Sequence, residues 1–287
     1  MINKEIAHVI PAQKVNMGGH ILDQPLPVGS LDYVDPFLLI HHWKSELPGN
    51  QHQRDVGVGP HPHRGFSPVT FIFKGSVQHR DSMGENTIVY AGGTQWMHAG
   101  RGVTHSERPD AEIAKTGGEL EFIQFWVNSP AVHKMDSAFY LPLSDEQTPR
   151  VTGDGYHIAV VAGQYAGVKG AAPTLSPMTL LRGEVKKEAH INIDLPADFN
   201  TLFYLLDGSL KINDQEVTAK DMIHFKLGSE RIHVQASADT RFMILSGAPL
   251  NEPVATYGPF VMNNQSQVME ALRDAQLGKM GVLIEEF

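Results

Sequence analysis

The sequence predicts an all-β protein made of two sandwich or barrel domains, with one short helix near the C-terminus. Three observations carry that prediction. Runs rich in aromatic and β-branched residues, at 69–73, 119–127, 179–181, 201–206 and 241–245, are short and separated by Gly, Pro, Asn and Asp clusters, which is the spacing of strands. Tight-turn sequences such as Lys74-Gly75-Ser76, Asp207-Gly208-Ser209 and Ile212-Asn213-Asp214 stand between them, as antiparallel hairpins require. The pattern also repeats. Thr70-Phe71-Ile72-Phe73-Lys74-Gly75-Ser76 echoes Phe203-Tyr204-Leu205-Leu206-Asp207-Gly208-Ser209, and the stretches 91–105 and 219–233 match in length and end in histidine. Such an echo is the mark of a duplicated β unit.

Taken in order, the first copy runs through the strands around the Gly75 turn and the second through those around Gly208. A stretch rich in glycine and small residues, 162–177, separates them, so the domains are drawn as 1–160 and 161–287. The one helix is expected over 265–277, where Val268, Leu272 and Ala275 recur at helical intervals. Asn263 or Asn264 caps its start and Gly278 stops it.

Composition narrows the chemistry. The 287 residues are 41% hydrophobic, enough for a sizeable core, and carry a formal net charge of -9. That charge, without any basic block, argues against a nucleic-acid surface, since phosphate binding is driven by clustered Lys and Arg. Cysteine is absent, which excludes disulfides, thiolate metal sites and cysteine nucleophiles. No run is apolar for long enough to span a membrane and the first residues do not read as a secretory leader. A cytoplasmic protein without membrane contact is expected.

Fifteen histidines are many for packing alone, and their placement is uneven between the copies. Counted from the Gly-Ser turns, His61 and His63 fall opposite Asp194 and Pro196, while His105 falls opposite His233 and Glu107 opposite Gln235. One copy therefore assembles three imidazoles and a carboxylate. On a strand, His61 and His63 share a face, as do His105 and Glu107, and two neighbouring strands can aim both pairs at one point. Such a set leaves open positions on an octahedral metal and suits Fe(II), Mn(II), Ni(II) or Cu(II) without excluding Zn(II).

Two stretches then resemble a known family. His61-Pro62-His63-Arg64-Gly65-Phe66 and Gln95-Trp96-Met97-His98-Ala99-Gly100-Arg101-Gly102-Val103-Thr104-His105-Ser106-Glu107 are similar to the motifs of pirins, and the likeness extends to Trp126-Val127-Asn128-Ser129-Pro130, Gly247-Ala248-Pro249-Leu250-Asn251-Glu252-Pro253 and Tyr257-Gly258-Pro259-Phe260-Val261-Met262-Asn263. The resemblance implies a bicupin, two β-sandwich or jelly-roll barrels facing each other, with one mononuclear divalent metal in the N-terminal barrel, Fe(II) first. Carried over, the ligands are His61, His63, His105 and Glu107. It also implies a quercetin 2,3-dioxygenase-type activity on an aromatic small molecule with O2, with Glu107 as the catalytic base once it loosens from the metal. The alternative is a metal-dependent regulatory protein that binds a transcription factor or a metabolic enzyme.

Two departures from the family pattern stand out. Ser67, followed by Pro68, occupies the place where many pirins have Glu. The stretch Asp35-Pro36-Phe37-Leu38-Leu39-Ile40-His41-His42-Trp43 carries histidines where acidic residues are common, and these two are expected to be exposed. His98 is read either as a donor lining the cavity or as a structural histidine, and His79 as hydrogen-bonded within its hairpin. Phe66, Phe71, Phe73, Phe122 and Trp126 are expected in the core, with one or two reaching the cavity.

Overall fold

The structure, a computed structural model, describes residues 2–29 and 31–287. The chain clusters into two compact units, Met1–His41 with Glu146–Leu250, and His42–Asp145 with Asn251–Phe287. Where the sequence suggested a single cut after residue 160, each unit instead combines two segments of the chain, so residues 251–287 serve the unit that holds the candidate metal residues.

Eight consecutive strands of that unit frame the candidate site: β1 (Val58–His63), β2 (Phe66–Lys74), β3 (Ser76–Asp81), β4 (Asn86–Tyr90), β5 (Thr94–His98), β6 (Val103–Pro109), β7 (Gly118–Asn128) and β8 (Phe139–Leu143). One sheet has the order β1-β6-β3-β4, and β8, β5, β2 and β7 lie side by side in another. All pairs are antiparallel. Along β7 the period is 2: Ile123, Phe125 and Val127 are buried while Phe122, Gln124 and Trp126 are half-buried, so alternate residues face the packed side and the more open interior. β1 lies at the edge of its sheet and holds Pro60 and Pro62 at alternate positions. An edge strand is where a proline, which has no N–H to give to a ladder, is tolerated.

Gly65, between β1 and β2, is fixed by its surroundings. Its φ is +86°, and a Cβ there would sit 2.0 Å from the Val261 carbonyl oxygen, so only glycine fits this left-handed position. The helix α2 (Gln265–Gln276) is found where the sequence places it. Asn264 accepts from the Gln267 N–H at 3.0 Å, and Gly278 follows at φ +71°. Its Asp274 pairs with Arg64, next to His63, at 3.1 Å. A second, six-residue helix, α1 (Ala111–Thr116), was not expected, because a single turn capped by Asp110 leaves too short a pattern to read. Among the described residues no helix is long and apolar enough to cross a membrane.

The other unit repeats the plan. The strands Asn200–Asp207 and Ser209–Ile212 flank the Gly208 turn as β2 and β3 flank Gly75, and the sheet order His190–Asp194, Arg231–Ala236, Ser209–Ile212, Gln215–Thr218 matches β1-β6-β3-β4. Strand pairing corrects the turn-counted correspondence. Val77 pairs with Pro109 and His79 with Glu107, whereas Leu210 pairs with Ala236 and Ile212 with Val234. Glu107 therefore corresponds to Val234 and His105 to Ile232. Since Ile193 pairs with Ile232 as His61 does with His105, His61 and His63 correspond to Ile193 and Leu195. All four are core residues, at most 3% exposed. His233 faces the opposite way, its Nδ1 bonded to Asn192 Oδ1 at 3.0 Å. The one-residue slip matters because it moves every side chain to the other face. His233→Ala is accordingly expected to leave the metal content of the protein unchanged; a drop in bound metal on elemental analysis would contradict this.

Candidate metal centre

Three imidazoles converge in the unit formed by His42–Asp145 and Asn251–Phe287. His61 and His63 come from β1 and His105 from β6, with ring centroids 4.8 Å (61 to 63), 4.3 Å (61 to 105) and 4.9 Å (63 to 105) apart. One nitrogen from each lies within 4.8 Å of the other two. The opposite nitrogen of each ring is engaged from behind. His61 Nδ1 meets the Gly59 carbonyl at 2.8 Å and His63 Nδ1 meets the Pro259 carbonyl at 3.3 Å. His105 Nδ1 lies 3.4 Å from His79 Nδ1. A carbonyl only accepts, so the protons of His61 and His63 sit on Nδ1 and their Nε2 lone pairs are left for the centre. The Nε2 atoms of His63 and His105 are buried without a hydrogen-bond partner. Buried polar atoms are nearly always satisfied, and two orphaned lone pairs aimed at one point are what a divalent cation would satisfy. The donor set fits a metal.

Glu107 stands outside this three-imidazole group. Both of its carboxylate oxygens accept from Gln124 Nε2 at 2.8 Å, and Thr70 Oγ1 donates to Oε1 at 3.4 Å. Gln124 in turn accepts from the Trp126 indole N–H at 3.4 Å. Apolar walls complete the site. Trp126 packs edge-on to His63 at 5.5 Å and against Phe66 at 4.3 Å, so two of the aromatics expected in the core border the centre; Phe66, like Phe71, is fully buried, and Trp126 is half-buried.

The centre favours neutral imidazoles. His105 is held well below the ordinary histidine range by burial first and then by its neighbours His61, His63 and His79. Burial and His61 do the same for His63, partly offset by the Pro259 carbonyl. Away from the centre, burial brings His41 down to about 4. Unfolded, these residues take up protons near 6.5, so below that pH the unfolded chain binds more protons than the folded one and stability falls with pH. The urea midpoint of the metal-free protein is expected to be lower at about pH 5 than at about pH 7. The difference should shrink in His41→Gln, and an equal difference in that variant would remove His41 from the account.

Other histidines resolve differently. His42 is fully buried, its Nε2 3.2 Å from Glu121 Oε1, and His41 is half-buried with Gln24 at 2.9 Å. The expectation that both are exposed is therefore corrected: an acidic partner on β7 and an amide accommodate them. His98 Nδ1 lies by Ser67 Oγ at 3.3 Å and Ser129 Oγ at 3.5 Å, away from the three converging imidazoles. Ser67 thus has a partner of its own. Sequence reasoning missed Gln124, whose signal was its place between Phe122 and Trp126 on the half-buried face of β7.

Family models match both halves of this architecture, a pirin model over residues 19–127 and the pirin C-terminal cupin domain over 180–281. The chain belongs to the pirin family. Its two cupin domains, mostly β, and its short C-terminal helix are those of a bicupin. Among pirin relatives, a pirin-like protein of Solanum lycopersicum is 33% identical over 267 residues, covering 92% of this chain and 88% of its own. A solved quercetin 2,3-dioxygenase from Acinetobacter baumannii is 34% identical with a TM-score of 0.92, over 99% of this chain and 100% of that one. A bacterial pirin from Escherichia coli, solved in complex with nickel(II), is 20% identical with a TM-score of 0.67, over 84% of this chain and 99% of that one, a likeness of fold.

Proposed function

We propose that this pirin-family protein binds one divalent metal, Fe(II) in first place, through His61, His63, His105 and Glu107, and adds dioxygen to a flavonol-like aromatic substrate. The observation that carries the reading is the pair of orphaned, buried Nε2 atoms in a cluster of three imidazoles. The likeness to a solved quercetin 2,3-dioxygenase supports the substrate class.

The chain's own groups supply the rest. Trp126, half-buried beside His63 and backed by the buried Phe66, offers a ring against which a planar substrate gains offset or edge-on contacts. Glu107 takes the proton from the substrate hydroxyl, a role worth about 10²–10⁴ in rate for a well-placed base. Gln124 keeps that carboxylate oriented by donating to both oxygens. When bound, the metal supplies Lewis-acid stabilisation of the deprotonated hydroxyl and the redox chemistry that dioxygen addition needs.

Oxygen uptake on adding quercetin to the Fe(II)-loaded protein tests this reading. Uptake is expected, and it should disappear in Glu107→Ala. A protein shown to hold iron that consumes no oxygen with quercetin would refute the dioxygenase assignment.

A further inference from the structure

The three imidazoles are not oriented in the same way. His61 and His63 lean on main-chain carbonyls, Gly59 and Pro259, which cannot change their hydrogen-bonding sense. His105 leans on another imidazole, and the direction of that contact has to be set from elsewhere.

Asp81 sets it. Its Oδ1 accepts from the backbone N–H groups of Met83 at 2.8 Å and Glu85 at 3.2 Å, in the turn between β3 and β4. Its Oδ2 lies 2.9 Å from His79 Nε2. A carboxylate offers only lone pairs, so His79 Nε2 donates and, with a single ring proton, its Nδ1 accepts. The partner at that Nδ1 is His105 Nδ1, 3.4 Å away. His105 must then carry its proton on Nδ1, which leaves Nε2 as a lone pair facing the centre. The ring of His79 is held flat against Tyr140, centroids 3.8 Å apart and planes 3° apart, and Thr87 Oγ1 donates to the Tyr140 hydroxyl at 3.2 Å. Two-residue spacing on β3 puts His79 and Asp81 on one face, and the register sets His79 opposite Glu107 and Asp81 opposite His105. His79 is 1% exposed and Asp81 3%, so water does not compete for these contacts.

We infer that His79 and Asp81 are positioning residues, a chain from turn amides through a carboxylate and an imidazole that fixes the tautomer of His105 and presents its Nε2 to a divalent metal. The inference rests on the metal site proposed above, and it adds two residues outside that ligand set. Outer partners of this kind orient a ligand and raise its basicity, and their loss costs about 10- to 100-fold in metal affinity.

Asp81→Asn is the diagnostic variant because it keeps the shape and reverses one hydrogen bond. The Met83 and Glu85 N–H groups hold the new carbonyl oxygen, which turns the amide NH2 toward His79 Nε2. His79 must accept there, its proton moves to Nδ1, and His105 is left with its proton on Nε2, the wrong nitrogen for a ligand. Imidazole 15N–1H correlation spectra of the metal-free protein read this directly. The expected result is His105 protonated on Nδ1 in the parent and on Nε2 in Asp81→Asn, with Co(II) affinity lowered about 10- to 100-fold in the variant. His79→Phe, which keeps the stack on Tyr140 but offers no acceptor, should lose Co(II) affinity to a similar extent. The same His105 tautomer in parent and Asp81→Asn, or unchanged Co(II) affinity in Asp81→Asn, would overturn the inference. Failure of the parent itself to bind Co(II) would count against the metal site, and the 15N spectra would still decide whether the chain sets the tautomer.

Discussion

His105→Ala is expected to lower the affinity for a divalent metal by about 100-fold or more, since loss of a proposed direct ligand should exceed the roughly 10- to 100-fold cost of losing an outer partner. The residue is 1% exposed and its free nitrogen is one of the two orphaned Nε2 atoms. Two imidazoles remain in the variant, both from β1, and the side of the centre supplied by β6 keeps only Glu107, which Gln124 already holds. Elemental analysis after dialysis against a weak chelator measures the effect. Full retention of metal would refute the ligand set as a whole, and oxygen uptake with quercetin should fall in parallel with the metal.

Lys134→Met is expected to destabilise the protein by about 3 kcal/mol or more, counting about 1–3 kcal/mol for each buried acceptor left without a partner. Lys134 is 1% exposed, and its Nζ donates to the Gly65 carbonyl at 2.7 Å, Asn128 Oδ1 at 2.6 Å and the Val261 carbonyl at 3.1 Å. It thereby ties together the two backbone segments whose close approach demands glycine at position 65. Burial pulls its pKa down to about 8, a sign of how fully the ammonium has left water. Methionine replaces the aliphatic stem and removes every one of these bonds. A thermal midpoint lowered by several degrees is the expected result, taking about 2–4 °C per kcal/mol for a domain of this order. An unchanged midpoint would mean that water replaces the ammonium at little cost.

Much of the fold was legible because local signals agreed with one another. The Gly75 and Gly208 turns, the runs rich in aromatic and β-branched residues and the α2 cap all appear where the sequence places them. The duplicated plan was legible too, but its register was not. Facing is lost with a slip of one residue, and only strand pairing revealed that Ile193, Leu195, Ile232 and Val234 occupy the places of the four polar residues. At the centre, paired spacing on strands was enough to bring His61, His63 and His105 together. The partners behind them were harder to see. Gly59 and Pro259 act through main-chain oxygens, which no side-chain motif announces, and Gln124 reaches Glu107 from a strand 17 residues further on. His42 was misjudged because its partner, Glu121, lies 79 residues away in the chain.

The prolines of β1 have a bearing on solubility. An edge strand with a row of free N–H groups is a template on which another chain can add a strand. Pro60 and Pro62 take two N–H groups out of this edge strand, and proline is one of the residues that blunt a sheet edge against a further strand. The segment that carries two of the three converging imidazoles is thereby a poor seed for edge-to-edge aggregation.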